Sequence, residues 1–219
     1  MTFKNALNAR RAREREAIRR KDLLVESVRT HLLPALTQRG FEDAQLEHKD
    51  QAERKTAGTF PFGLLRRARP DGGLDLVEIQ FMTYQRPAFR INATAAPKEG
   101  MMTAGGHRTA GELQAGGLHD HFETHARPWL RLGLRALGLE SLGAWLGAWF
   151  SVSHLPLRSP TRADYDKLAI RVVGILPELE LALREGNLGP HMRRVEFKPL
   201  PPEVLERIRR LKTERAMEK

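Results

Sequence analysis

The densest run of side chains able to do chemistry is His119-Asp120-His121-Phe122-Glu123-Thr124-His125. On a helix, His121 and His125 would share one face at four-residue spacing, as two imidazoles must to reach a single metal ion. His119 stands next to them, and Glu123 or Asp120 would act as a carboxylate ligand or a base. A metal-dependent enzyme is the activity such a cluster would serve. The competing reading is a surface histidine cluster at the start of a helix. It is the simpler one, because no Glu follows His121 directly and the zincin pattern is missing.

Other reaction centres are thinner still. Gly105-Gly106-His107-Arg108-Thr109-Ala110-Gly111 has the glycine amides that approach anions closely. It lacks the Gly-Lys-Ser/Thr ending of a phosphate-cradling loop, so a plain flexible loop is the better reading. Ser151 and Ser153 precede His154, but strand alternation would set both serines on the face opposite the histidine. No Gly-x-Ser-x-Gly elbow surrounds any serine, which argues against a hydrolase triad. The chain has no Cys, so thiolate nucleophiles, thiolate metal sites and disulfides are excluded. No motif asks for a bound cofactor.

Charge is the remaining signal. Residues 1–21 hold Lys4, Arg10, Arg11, Arg13, Arg15, Arg19, Arg20 and Lys21 against Glu14 and Glu16, which is more than half of the formal net charge of +10. A cationic arm attracts phosphates or acidic protein surfaces through a long-range field that salt weakens. The bland alternative is a solvated tail. If the arm binds nucleic acid, Arg10, Arg11, Arg13, Arg15, Arg19, Arg20 and Lys21 would contact the backbone and read no bases.

The elements that must carry these groups follow from periodicity. Val77, Ile79 and Phe81 alternate along one strand, and Phe89, Ile91 and Ala93 meet them across an antiparallel pair flanking Gln85-Arg86-Pro87. The other face then carries Glu78, Gln80, Arg90, Asn92 and Thr94. With a register symmetric about Asp71-Gly72, Arg66 falls near Glu78, and charge pairing there is favoured over a cationic face aimed at an anion. Residues 22–39 read as a helix stopped by Gly40 and disturbed by Pro34. The arm extends it backwards, with Phe3, Leu7 and Ile18 too sparse to pack much. Phe41–Lys49 is a weak strand, 49–58 a loop, and Phe60–Arg69 a second strand. Pro97–Gly117 has no periodic apolar face and reads as a mobile excursion.

Pro128–Leu146 suggests two short helices, and Trp149–His154 a strand. Trp129, Trp145 and Trp149 are candidates for base stacking. Residues 139–153 hold no Lys or Arg to interleave with them, so the core is the better place for Trp145 and Trp149. Thr161 caps a helix over 162–176 whose buried stripe is Tyr165, Leu168, Ala169, Val172 and Ile175. Pro177 opens a further helix ended by Gly186. Pro199–Pro202 is a stiff joint before an amphipathic helix bearing Val204, Leu205, Ile208 and Leu211.

Gly40-Phe41, Glu78-Ile79-Gln80, Phe89-Arg90-Ile91-Asn92, Ala148-Trp149-Phe150 and Ile175-Leu176-Pro177-Glu178-Leu179-Glu180 occur in this order. Over residues 22–186 they resemble the bacterial family catalogued as domain of unknown function 4304. The resemblance implies an antiparallel sheet backed by helices and brings no catalytic residues. Some small families of this kind act as immunity partners to toxins.

The expectation is an α+β fold with an antiparallel meandering sheet of four to five strands backed by helices, and helical extensions at both ends. Residues 1–21 form the basic arm, 22–186 the α+β domain with the 97–117 loop, and 187–219 a linker and C-terminal helix. No apolar run is long enough for a transmembrane segment, the start lacks a secretory signal, and a cytoplasmic setting fits. A transit peptide is disfavoured by Glu14 and Glu16. The leading function is a non-enzymatic binding protein whose partner is nucleic acid or an acidic protein surface. The alternatives are an immunity-type interaction module and a metal-dependent enzyme at His119–His125. Oligomeric state is not legible.

Overall fold

Alternation decides the centre of the fold. In the computed structural model, β3 (Leu74–Phe81) and β4 (Ala88–Ala96) pair antiparallel, with Val77 opposite Ala93, Ile79 opposite Ile91 and Phe81 opposite Phe89. This is the register expected from the apolar pattern. The structure describes residues 3–43, 59–82, 87–103, 106–110, 113, 115, 120–127, 149–152 and 159–196. The expected loop at 49–58, the helices over 128–146, Ser153, His154, Trp129, Trp145, the joint at Pro199–Pro202 and the C-terminal helix lie outside the described residues.

The main sheet is antiparallel and runs β1-β2-β3-β4-β7-β9, with the short β8 (Phe150–Ser151) also against β4. Here β1 is Glu42–Asp43, β2 Leu64–Ala68, β7 Asp120–Thr124 and β9 Met192–Glu196. The sheet is wider than expected because two strands come from stretches assigned otherwise. The histidine-rich run is β7 rather than a helix start, and part of the supposed linker is the edge strand β9. The fold class stands: helices back one face of an antiparallel sheet.

The turn between β2 and β3 is centred on Asp71, not midway to Gly72. Arg69 N–H donates to Gly73 O and Gly72 N–H to Arg69 O, while Gly72 takes φ +84°. Asp71 Oδ1 accepts from the Gly73 N–H at 2.9 Å. The register then sets Arg66 opposite Leu76, Leu64 opposite Glu78 and Arg67 opposite Asp75. The register makes Arg67–Asp75 the directly opposed charge pair of these strands, with Arg66 and Glu78 one diagonal step apart. Arg67 donates to Asp75 Oδ2 at 2.7 and 3.0 Å, to Glu180 Oε1 at 2.8 Å and to Arg39 O at 3.1 Å. Its guanidinium also lies 4.4 Å from the Phe41 ring centroid, so one side chain ties β2 to β3, to the turn after the first helical run and to the helix carrying Glu180.

Helix α1 (Phe3–Ser27) runs into a π-helical segment, Val28–Leu32, and then α2 (Leu33–Thr37). Pro34 explains the widening: it has no N–H for the carbonyl four residues back, and its ring crowds that carbonyl. Leu33 N–H bonds Val28 O, five residues back, and the helix continues without breaking. Gly40 then adopts φ +83° and ends the run, as its position suggested.

Helix α3 (Arg162–Val173) starts with a capping box in which Asp164 Oδ2 accepts from Thr161 N–H and Oγ1, both at 2.8 Å. Its expected stripe, Tyr165, Leu168, Ala169, Val172 and then Ile175, is buried. Helix α4 (Leu176–Glu185) carries Pro177 in its first turn and ends at Gly186 with φ +67°. These helices and α1 close over the Phe81–Phe89–Phe150 stack, whose successive ring centroids are 5.7 and 5.5 Å apart.

The far face of the sheet is also covered. Residues 97–117, expected to be a mobile excursion, contribute β5 (Met101–Thr103) paired with β6 (Gly106–Arg108). Ala110, Leu113 and Ala115 then pack on Leu64, Leu76 and Ala96 in a second apolar cluster. Scattered small apolar residues, not a periodic face, make this contact.

Candidate functional site

The basic residues of α1 divide into two groups. Arg10, Arg11, Arg13 and Arg15 are exposed and make no ion pair with any described residue. At 3.6 residues per turn and about 1.5 Å rise they point to several sides of the helix within about 8 Å along its axis. Arg19 and Arg20 are held differently. Both donate to Glu16, Arg19 at 2.9 Å and Arg20 at 2.7 Å, and Arg20 also reaches Ser159 Oγ at 3.2 Å. Hydrogen bonds from Arg19 and then Arg20 hold the Glu16 carboxyl down at about 2. Lys21 is half-buried.

The arm is not a separate tail. One helix crosses position 21 without a break and places Leu24 and Val28 in the core, fully buried. Sparse packing before that point holds: Ile18 is 56% exposed. The exposed charge is therefore displayed on a helix whose far end is anchored in the core.

The histidine cluster loses its geometry. Residues 120–124 are strand, so His121 and His125 stand about 13 Å apart along the chain at an extended rise of about 3.4 Å per residue. Two imidazoles on one metal ion need nitrogens about 2 Å from it. Both rings are buried, at 2% and 0% exposure. Among the described residues no group of three or more His, Asp or Glu side chains is placed to hold a metal ion. His119 lies outside the described residues, as do Gly105 and Gly111 of the glycine-rich stretch.

What the sequence reading missed is the charged row that β4, β7 and β9 assemble. Asn92 faces Glu123, and Glu123 faces Arg193. Glu123, 3% exposed, takes Arg90 Nη1 at 2.6 Å, Arg193 Nε at 2.8 Å with Nη2 closer still, and lies 3.4 Å from His121 Nε2. Burial would raise the Glu123 carboxyl, but the His121 hydrogen bond and the Arg90 and Arg193 charges override it and hold the carboxyl at about 2. Arg90 donates to Gln80 Oε1 at 2.7 Å and stacks 4.9 Å from the Trp149 ring centroid. Burial lowers the Arg90 pKa against the pull of Glu123.

The row gives Arg90 a carboxylate partner, Glu123, on the neighbouring strand. A carboxylate ionised down to about pH 2 is no general acid at neutral pH, and its oxygens are occupied by guanidinium donors. The row is a clamp across three strands. Sequence spacing could not reveal it, because Arg90, Glu123 and Arg193 lie far apart in the chain and only the order β4-β7-β9 brings them together.

A cleft of about 340 Å³ opens between β8 and α3, lined by Ser151, Val152, Asp164, Lys167, Leu168 and Arg171. Among the described residues no helix is long and apolar enough to cross a membrane. Family models, curated proteins and solved structures give no match to this chain, so the family resemblance rests on the quoted residues alone.

Proposed function

We propose that this chain is a non-enzymatic binding protein whose first helix contacts nucleic-acid backbone without reading bases. The observation that carries this reading is the contrast within α1. Arg10, Arg11, Arg13 and Arg15 are exposed with no acidic side chain among the described residues bonded to them, although Glu14 lies among them. Guanidinium forks suit phosphate oxygens. Their spread around the helix suits a polyanion that surrounds the rod with charge, and it offers no single stripe for a groove. Arg19 and Arg20, bonded to Glu16, contribute field more than contact.

An immunity-type module using the sheet face is the weaker reading. The apolar end of that face is already covered by Ala110, Leu113 and Ala115. The test is a duplex-binding titration of the parent and of R10Q/R11Q/R13Q/R15Q. Loss of at least tenfold in affinity at about 0.1 M salt, with the melting temperature unchanged, supports the reading. Equal binding by the variant rejects it.

A further inference from the structure

We propose that the cleft between β8 and α3 binds a small phosphate monoester carried on an apolar body. Helix α3 presents three faces. Tyr165, Leu168, Ala169 and Val172 are buried in the core. Arg162 and Asp166 turn to the first helical run, Arg162 reaching Thr30 Oγ1 at 3.2 Å and Asp166 Oδ1 lying 3.2 Å from His31 Nε2. Asp164, Lys167 and Arg171 remain, and these are the residues that line the cleft with Leu168, Ser151 and Val152.

Lys167 and Arg171 stand one turn apart, both exposed, with no ion pair to a described residue. Two like charges at that spacing repel, so helix stability does not account for the pair. Among the described residues Asp164 is the one acid on the wall, and its Oδ2 already accepts both capping bonds from Thr161. The cations are left to outweigh it.

The chemistry of the occupant follows. An ammonium and a guanidinium fork together match the oxygens of a phosphoryl group. A phosphate monoester carries about −1.5 to −2 at neutral pH, which two cations balance, whereas a single carboxylate balances only one. Val152 and Leu168 give the cleft an apolar wall, so the phosphate belongs at one end of a larger molecule. The volume of about 340 Å³ suits a small ligand and is too small for a folded partner.

Titration calorimetry of the full chain with phenyl phosphate tests this, alongside benzoate and benzyl alcohol. The expected result is saturable one-to-one binding of phenyl phosphate, at least tenfold tighter than benzoate, with benzyl alcohol inert. K167Q/R171Q should weaken phenyl phosphate at least tenfold while melting like the parent, and R184Q, a surface change elsewhere, should leave it unaltered. Absence of saturable binding by the parent overturns the proposal. So does equal affinity in K167Q/R171Q, or benzoate binding as tightly as phenyl phosphate.

Discussion

Arg67, Arg90 and Arg193 on the sheet each meet a carboxylate that is nearly buried, whereas Arg10, Arg11, Arg13 and Arg15 on the first helix stand in solvent. The difference is one of supply. Asp75 is 5% exposed and Glu123 3%, so each carboxylate needs cations to offset its lost hydration, and sheet pairing brings arginines to them. On the helix the local acid is Glu16, and it takes the two arginines one turn below. Beyond it the rod carries uncompensated positive charge. Identical side chains thus hold the fold together in one region and remain free to meet a partner in the other.

The contrast breaks most visibly at Glu123. Glu123→Gln leaves the half-buried Arg90 and Arg193 against a neutral amide, and should cost about 3 kcal/mol in denaturant unfolding. A cost under about 1 kcal/mol would show that the row is not a clamp. The same group sets a pH dependence. Its folded value of about 2 lies below the ordinary 4.5, so its stabilisation is complete above about pH 4.5 and is lost as pH falls towards 2. The gap in melting temperature between the parent and Glu123→Gln should therefore hold level from pH 6 to about pH 4.5 and narrow from there to pH 2.5. A gap that stays constant contradicts the assignment.

Arg67→Ala removes the bonds to Asp75, Glu180 and Arg39 O at once. Arg69 stays 3.9 Å from Asp75 and softens the loss, so about 2 kcal/mol is expected from equilibrium unfolding. The smallest effect sharpens the comparison from the other side. Glu16→Gln releases Arg19 and Arg20 from their acid, so duplex affinity at low salt should rise by about two- to fivefold with little change in stability. A fall in affinity would mean that Glu16 orients those arginines for the partner.

Much of the fold was legible because its determinants are local. The alternation of Val77, Ile79 and Phe81 against Phe89, Ile91 and Ala93 fixed the central register, since a one-residue slip would put those side chains on the wrong face. Thr161, Pro177 and Gly186 marked helix ends through their own backbone chemistry. Non-local pairing was not legible. His121 and His125 fit a helical spacing as well as a strand, and only hydrogen bonding from β4 on one side and β9 on the other makes 120–124 a strand, with His125 just past its end. The directly opposed Arg67–Asp75 pair was not legible, because the turn centres on Asp71, whose side chain caps the Gly73 N–H. The basic arm was legible as composition, but its anchorage at Leu24 and its split at Glu16 needed the helix.

The salt dependence of duplex binding tests the central claim most directly. Four phosphate contacts give a slope of log K against log salt of about −3.6 at about 0.9 per contact. The expected result is a slope between about −3 and −4 for two duplexes of unrelated sequence, with equal affinities, falling towards zero in R10Q/R11Q/R13Q/R15Q. A parent slope near zero, or a steep slope that survives in that variant, contradicts a helix that binds phosphate through its exposed arginines.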